Sequence, residues 1–95
     1  MFGSSLYSPK YDDLREWLKR ARGESGLSQR ALSERLGLHH SIVGKLESGD
    51  RKFELYEFIS YCEAINVDPE EAFKFALNSH KKSKEIFMLE FQLPS

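Results

Sequence analysis

The sequence has one cysteine and no long apolar run, and each shortage excludes a class of protein. Its single cysteine, Cys62, cannot form an internal disulfide, so a disulfide-linked scaffold is excluded. No stretch reaches the roughly 18 consecutive apolar residues of a membrane-spanning helix. Residues 1–13 lack the basic region and the apolar run of a secretory signal. We therefore expect a cytoplasmic protein without a membrane partner.

The patterns that catalysis and metal binding require are also missing. The sequence has no nucleophile beside a plausible base, no pair of carboxylates in a predicted pocket and no glycine-rich phosphate loop. His39 and His40 are adjacent, whereas two histidine ligands on one helix typically lie four positions apart, and no cysteine is near them. We therefore expect no enzyme activity, no metal, no cofactor and no small-molecule ligand.

The sequence contains enough apolar residues for one hydrophobic core, and its charges are unevenly distributed. Of the 95 residues 40% are hydrophobic, which is typical of a globular domain, and the formal net charge is −1. Residues 14–53 carry nine Lys or Arg against five Asp or Glu, a net charge of +4. Residues 54–79 carry one Lys against six acids, a net charge of −5. The basic segment is compatible with a face that meets phosphate, although solvated helices often alternate charges in the same way.

Apolar residues at helical spacing, separated by capping residues and glycines, predict five short helices. Ser8-Pro9 is typical of a helix start, and Gly37 and Gly49 interrupt the pattern where helices should end. The predicted helices span residues 9–24, 29–36, 40–48 and 55–65, and a fifth begins near residue 69. In the fifth helix, we expect the inward side chains to be Ala72, Phe73, Ala76 and Leu77.

The C-terminal tail has a different pattern. Beyond the polar residues 80–84, apolar residues recur with a period of two, which predicts a strand. We expect this strand to be the dimerisation element, pairing antiparallel across a two-fold axis. Its apolar residues are Phe87, Leu89, Phe91 and Leu93. The alternative is that the tail folds back over its own bundle. Phe75, which we expect to point away from the bundle, is a second candidate for the dimer contact.

Residues 28–48 have the spacing of a helix-turn-helix. Two helices of about two turns each are joined by a short turn that contains Gly37. Ser33 is small where the two helices should approach closely, and leucines and Val43 connect both helices to the rest of the bundle. The opposite face of the third helix is left free to enter a major groove, whose width admits one α-helix.

The stretch from Leu14 to Leu77 resembles the Cro/CI-type repressors, also called the XRE family of helix-turn-helix DNA-binding proteins. The residues that carry the resemblance are Arg22, Gly26-Leu27-Ser28-Gln29, Gly37, Leu46-Glu47-Ser48-Gly49 and Arg51. It implies an all-α fold, a five-helix lambda-repressor-like DNA-binding bundle. Residues 1–13 would then be an N-terminal arm and helix start, 14–79 the DNA-binding domain and 80–95 the C-terminal tail.

The resemblance also implies roles for individual residues. The side chains directed at base edges would be His39, His40, Ser41 and Lys45. The phosphate contacts would come from Gln29, Arg51 and Lys52. Arg22 and Glu47 would form a structural ion pair between the first and third helices. Gly44 would let the third helix approach DNA closely, and His39 stands where the family often has a better capping residue.

We therefore expect a sequence-specific transcriptional regulator, a repressor or autoregulator, which binds double-stranded DNA as a homodimer. Two alternatives remain open. A protein-interaction module of the same fold, without specific DNA binding, would fit the acidic fourth and fifth helices. An antitoxin-type regulator would be paired with the product of a neighbouring gene.

Overall fold

The computed structural model describes the backbone of residues 9–92 and the side chains of residues 12–82. It contains five α-helices in chain order: α1 (Pro9–Ser25), α2 (Gln29–Arg35), α3 (Ile42–Ser48), α4 (Leu55–Ala64) and α5 (Pro69–Gln92). No strand occurs in this part of the chain. The predicted all-α, five-helix bundle is confirmed. Ser8 and Leu93 lie outside the described residues.

The core draws at least one side chain from each helix. Its most deeply buried members are Leu18, Leu32, Val43, Tyr61, Cys62, Ile65 and Ala72. Each large apolar side chain that is buried in this way stabilises the fold by about 1.5–3 kcal/mol. Burial also raises the pKa of the Cys62 thiol to about 11, so the thiol stays protonated and packs as a small hydrophobe.

The helix-turn-helix is shaped by a cap and a glycine. The Ser28 hydroxyl accepts a hydrogen bond from the backbone N–H of Ala31 at 3.0 Å, which closes the first turn of α2. Gly37, directly after α2, has a φ of 72°, a left-handed conformation that favours glycine. The chain can therefore turn sharply from α2 toward α3. Gly49 ends α3 with a φ of 91°.

The predicted start of the third helix at His40 is wrong, because α3 begins at Ile42. Two side chains bind the backbone N–H groups near its start. The backbone N–H of Ser41 donates to Nδ1 of His39 at 3.3 Å, and that of Val43 donates to the hydroxyl of Ser33 at 3.0 Å. Ser33 lies on α2 and is fully buried. The first turn of α3 is thus completed by a residue of the preceding helix.

The predicted strand at the C-terminus is also wrong, since α5 continues as helix to Gln92. Neither proline nor glycine interrupts residues 70–92, and the lysines, glutamates, methionine and leucines there favour helix. On a helix Phe87 and Phe91 share a face, whereas Leu89 is rotated by about 200° from Phe87. The side chains of these three residues lie outside the described ones.

The inward face of α5 differs from the predicted one by a small rotation. Ala72 is buried and Ala76 half-buried, but Phe73 is 59% exposed and Leu77 is 39% exposed. Phe75 takes the inward place, because its ring stacks on Trp17 of α1 with the centroids 5.6 Å apart. The expectation that Phe75 points away from the bundle is therefore wrong.

None of the helices in the described part of the chain has both the length and the apolar content needed to cross a membrane.

Candidate nucleic-acid interface

α3 has one buried side and one accessible side. Val43 and Leu46 are fully buried, and Glu47 is nearly so. On the other side Lys45 is exposed and Ile42 and Gly44 are half-buried. The helix therefore packs on the bundle through its apolar residues and leaves a mixed polar surface facing outward.

Three of the predicted base-contacting residues form a local cluster at the start of α3. His39 and His40 are exposed, with their ring centroids 4.2 Å apart, and Ser41 is half-buried. Nδ1 of His39 lies 2.8 Å from the Ser41 hydroxyl oxygen and also accepts the Ser41 backbone N–H. Because Nδ1 acts as an acceptor, the ring hydrogen of His39 is assigned to Nε2, which is left as a donor.

Glu47 joins α3 to three other helices through one carboxylate. Arg22 of α1 donates to it twice, from Nε to Oε2 at 2.6 Å and from Nη2 to Oε1 at 3.1 Å. Gln29 of α2 donates from Nε2 to Oε1 at 2.8 Å, and the hydroxyl of Tyr61 of α4 donates to Oε2. Arg22 also donates from Nη1 to the carbonyl of Leu27 at 2.9 Å. This network sets the rotation of α3 about its axis, and with it the direction of the outward residues.

The network holds its members in defined protonation states. Burial alone raises the pKa of Glu47, but hydrogen bonds from Arg22, Tyr61 and Gln29 lower it by more, so the pKa of Glu47 lies below its usual value. Burial and the hydrogen bond to Glu47 raise the pKa of Tyr61 well above that of a free tyrosine. At neutral pH the carboxylate is therefore charged, and the tyrosine hydroxyl is a neutral donor.

Gln29, predicted to contact a phosphate, is part of this network. One hydrogen of its amide nitrogen is used by Glu47, and a primary amide has a second hydrogen to donate. Its Oε1 lies 3.1 Å from the place where a Cβ atom on Gly44 would sit. Glycine at position 44 thus makes room for Gln29, a role that the sequence did not indicate.

The loop after α3 carries the two other predicted phosphate ligands, Arg51 and Lys52, which differ in their accessibility. Nη2 of Arg51 donates to Oε2 of Glu57 at 2.7 Å, so the guanidinium joins the loop to α4. Lys52 is exposed. Of the pair, Lys52 is therefore the more accessible cation.

Three contacts were not predicted from the sequence, although Ser33 was noted there for its small size. The hydroxyl of Ser33 binds the start of α3, the hydroxyl of Tyr61 binds Glu47, and the guanidinium of Arg15 lies 3.0 Å from the place of a Cβ atom on Gly49. Ser33 and Tyr61 lie at positions where the helical pattern predicts burial. Because buried polar groups are normally hydrogen-bonded, this was the available signal that each hydroxyl has a partner. No group of three potential metal ligands occurs among the residues whose side chains are described.

Comparisons with known proteins agree with this geometry. A helix-turn-helix family model matches residues 18–71, more than half of the chain. Among solved structures, the chain is similar to an XRE-family like protein from Pseudomonas syringae pv. tomato str. DC3000, with 29% sequence identity and a TM-score of 0.72. That similarity covers 80% of this chain and 93% of the other. None of the curated proteins matches the sequence. The chain belongs to the XRE family of helix-turn-helix DNA-binding proteins.

Proposed function

We propose that the protein is a sequence-specific transcriptional regulator, a repressor or autoregulator, which reads the major groove of double-stranded DNA with α3 and binds as a homodimer. The observation that supports this most directly is the setting of α3. On its buried side, Glu47 of α3 accepts hydrogen bonds from side chains of three other helices. On its outer side, Lys45 and the preceding His39-His40 pair are exposed.

The size and chemistry of the outward surface suit a major groove. An α-helix with its side chains is about 10–12 Å in diameter, and the groove is about 12 Å wide. α3 has 7 residues and is therefore about 10 Å long. The ammonium of Lys45 can donate to guanine O6 or N7, and the Ser41 hydroxyl can pair with several bases. Nε2–H of His39 is a further donor. These side chains would discriminate between bases, each good contact contributing about 1–3 kcal/mol.

Phosphate contacts would position the helix on the duplex. Lys52 is exposed in the loop that follows α3, and the second amide hydrogen of Gln29 is available at the start of α2. Nη2 of Arg51 is engaged by Glu57 and its side chain is 38% exposed, so we assign it a lesser share of the phosphate contacts than Lys52.

The test is a selection of duplexes from a random pool, followed by fluorescence anisotropy on the enriched site and on a scrambled duplex. We expect the triple substitution His40→Ala, Ser41→Ala and Lys45→Ala to lower discrimination between the two duplexes by about 100-fold. The control is Lys74→Ala, which removes the same charge from an exposed position on α5. An enriched site that the triple variant binds as well as the wild type would contradict the proposal.

A protein-interaction module of the same fold is the second candidate. The observation that favours it is the net charge of −5 over residues 54–79, which includes all of α4 and the first half of α5. Equal and weak binding to every duplex in the pool, with no enriched sequence, would support this candidate over the regulator.

A further inference from the structure

The first half of α5 exposes two large apolar side chains on one side. Phe73 is 59% exposed and Leu77 is 39% exposed, and the two are one helical turn apart. The neighbouring face of the same helix, with Ala72 and Phe75, packs on the bundle. Phe73 and Leu77 are thus partly exposed apolar side chains that lie beside the face of α5 that packs on the bundle.

Phe73 and Leu77 are the first two positions of a longer series along α5, whose spacing is that of a coiled-coil seam. Starting from Phe73, steps of four, three, four, three and four residues lead to Leu77, His80, Lys84, Phe87 and Phe91. Alternating steps of three and four are the a and d positions of a heptad repeat. α5 is one uninterrupted helix of 24 residues, about 36 Å long, so all six positions lie on a single rod.

The order of residue types in this seam is the same in both directions. It is apolar, apolar, polar, polar, apolar, apolar, and the steps between positions are symmetric as well. A second copy of α5 therefore places apolar on apolar and polar on polar, whether the two helices run parallel or antiparallel. A partner with a wholly apolar face would leave the two central polar positions opposite hydrophobic side chains.

We propose that α5 pairs with α5 of a second copy of this chain along the seam formed by Phe73, Leu77, His80, Lys84, Phe87 and Phe91. This interface takes the place of the strand pairing expected from the sequence. The biological role of this dimer rests on the proposed function, because the dimer would bring two α3 helices to one duplex. The association of the two chains itself requires no DNA. Lys84 lowers the affinity, since a charged residue at a seam position weakens pairing while it specifies the register.

The test is sedimentation equilibrium of the full chain without DNA. The wild type is expected to approach twice the chain mass of 11.0 kDa as its concentration rises. Phe73→Glu with Leu77→Glu should raise the dissociation constant of the dimer by about 100-fold or more. Lys84→Leu should lower it by about tenfold, and this second variant adds apolar surface and so does not depend on tolerance of acidic substitutions.

The matched control is Leu55→Glu with Tyr56→Glu, two equally drastic changes at the start of α4. These residues are 69% and 77% exposed and lie outside the seam, so the dimer should persist. A wild-type chain that stays monomeric at all concentrations, or a control that loses the dimer as completely as the seam variant, would overturn the interface. A dimer that forms normally but selects no DNA sequence would instead refute the proposed function and leave this interface standing.

Discussion

Glu47 shows how a buried charge can organise a binding helix. Its side chain is only 2% exposed, yet it stays ionised because donors from three helices surround it. A buried ion pair of this kind adds little net stability compared with apolar packing, but the loss of one partner is costly, since the other is left buried and uncompensated. The carboxylate therefore contributes more to the setting of α3 than to the total stability of the fold.

The substitution Glu47→Gln is expected to lower the free energy of unfolding by about 3–5 kcal/mol, because Arg22 loses its counter-charge. It should also change the response to acid. The pKa of Glu47 is lower in the folded protein than in the unfolded chain. Its stabilising contribution is therefore complete above the unfolded pKa of about 4.3 and is lost as the pH falls toward the folded pKa.

Urea unfolding between pH 7 and pH 3 measures both effects. The wild type should lose stability steeply below about pH 4.3, and the Gln variant should lose less over the same range. Glu16→Gln on the exposed side of α1 is the matched control and should keep the steep wild-type slope. An identical acid response in the wild type and the Glu47 variant would show that the carboxylate is not held as described.

The two helices of the helix-turn-helix depend on each other through Ser33. This serine lies in α2 and is fully buried, and its hydroxyl accepts the backbone N–H of Val43 in the first turn of α3. Such a bond satisfies one of the donors that every helix start leaves unpaired. α3 is only 7 residues long, and a helix of that length is not stable in isolation. Its order comes from α2 and from the core.

Ser33→Ala should therefore destabilise the protein by about 1–3 kcal/mol, since the Val43 N–H would be buried without a partner. The local readout is hydrogen exchange of the Val43 amide, which should become faster while amides in α1 change less. Ser60→Ala, at an exposed position of α4, is the control and should leave that rate unchanged. If Val43 exchanged equally slowly in both variants, Ser33 would not be the cap of α3.

The molecule as a whole has almost no net charge, so any attraction to DNA must come from where the charges lie. The basic residues are concentrated in 14–53, which contains α2, α3 and the loop that follows, and the acidic ones in 54–79. Local cations can neutralise phosphates and release counterions even when the total charge is −1. The acidic half then repels the duplex and limits the orientations in which the protein can bind.

Lys52→Ala should weaken binding to every duplex by a similar factor and reduce the slope of log affinity against log salt concentration by about 1. Lys45→Ala should instead weaken binding to the selected site more than to a scrambled one, because we assign it a base contact. Anisotropy titrations at several salt concentrations on both duplexes separate the two effects. Selective loss in the Lys52 variant, or uniform loss in the Lys45 variant, would reverse the assigned roles.

Several features of the site were accessible from the sequence, and the exceptions have specific causes. The bounds of α2 were predicted to within one residue, because Ser28 caps its start and Gly37 follows its end, and both act through local interactions. Phe73 and Phe75 are equally apolar, and only the contact with Trp17 decides which of them turns inward. The alternation at residues 87–93 suggested a strand, whereas the structure continues α5 through that segment to Gln92.

The number and order of the helices, the turn at Gly37 and the helix-turn-helix itself follow from the order of residues, because helix propensity, capping and glycine conformation act over a few neighbours. The rotation of each helix and the true start of α3 required the folded molecule. They depend on contacts between residues far apart in the chain: Glu47 meets partners 25, 18 and 14 positions away. Such long-range packing has no signature in local periodicity, since one apolar pattern is compatible with several helix rotations.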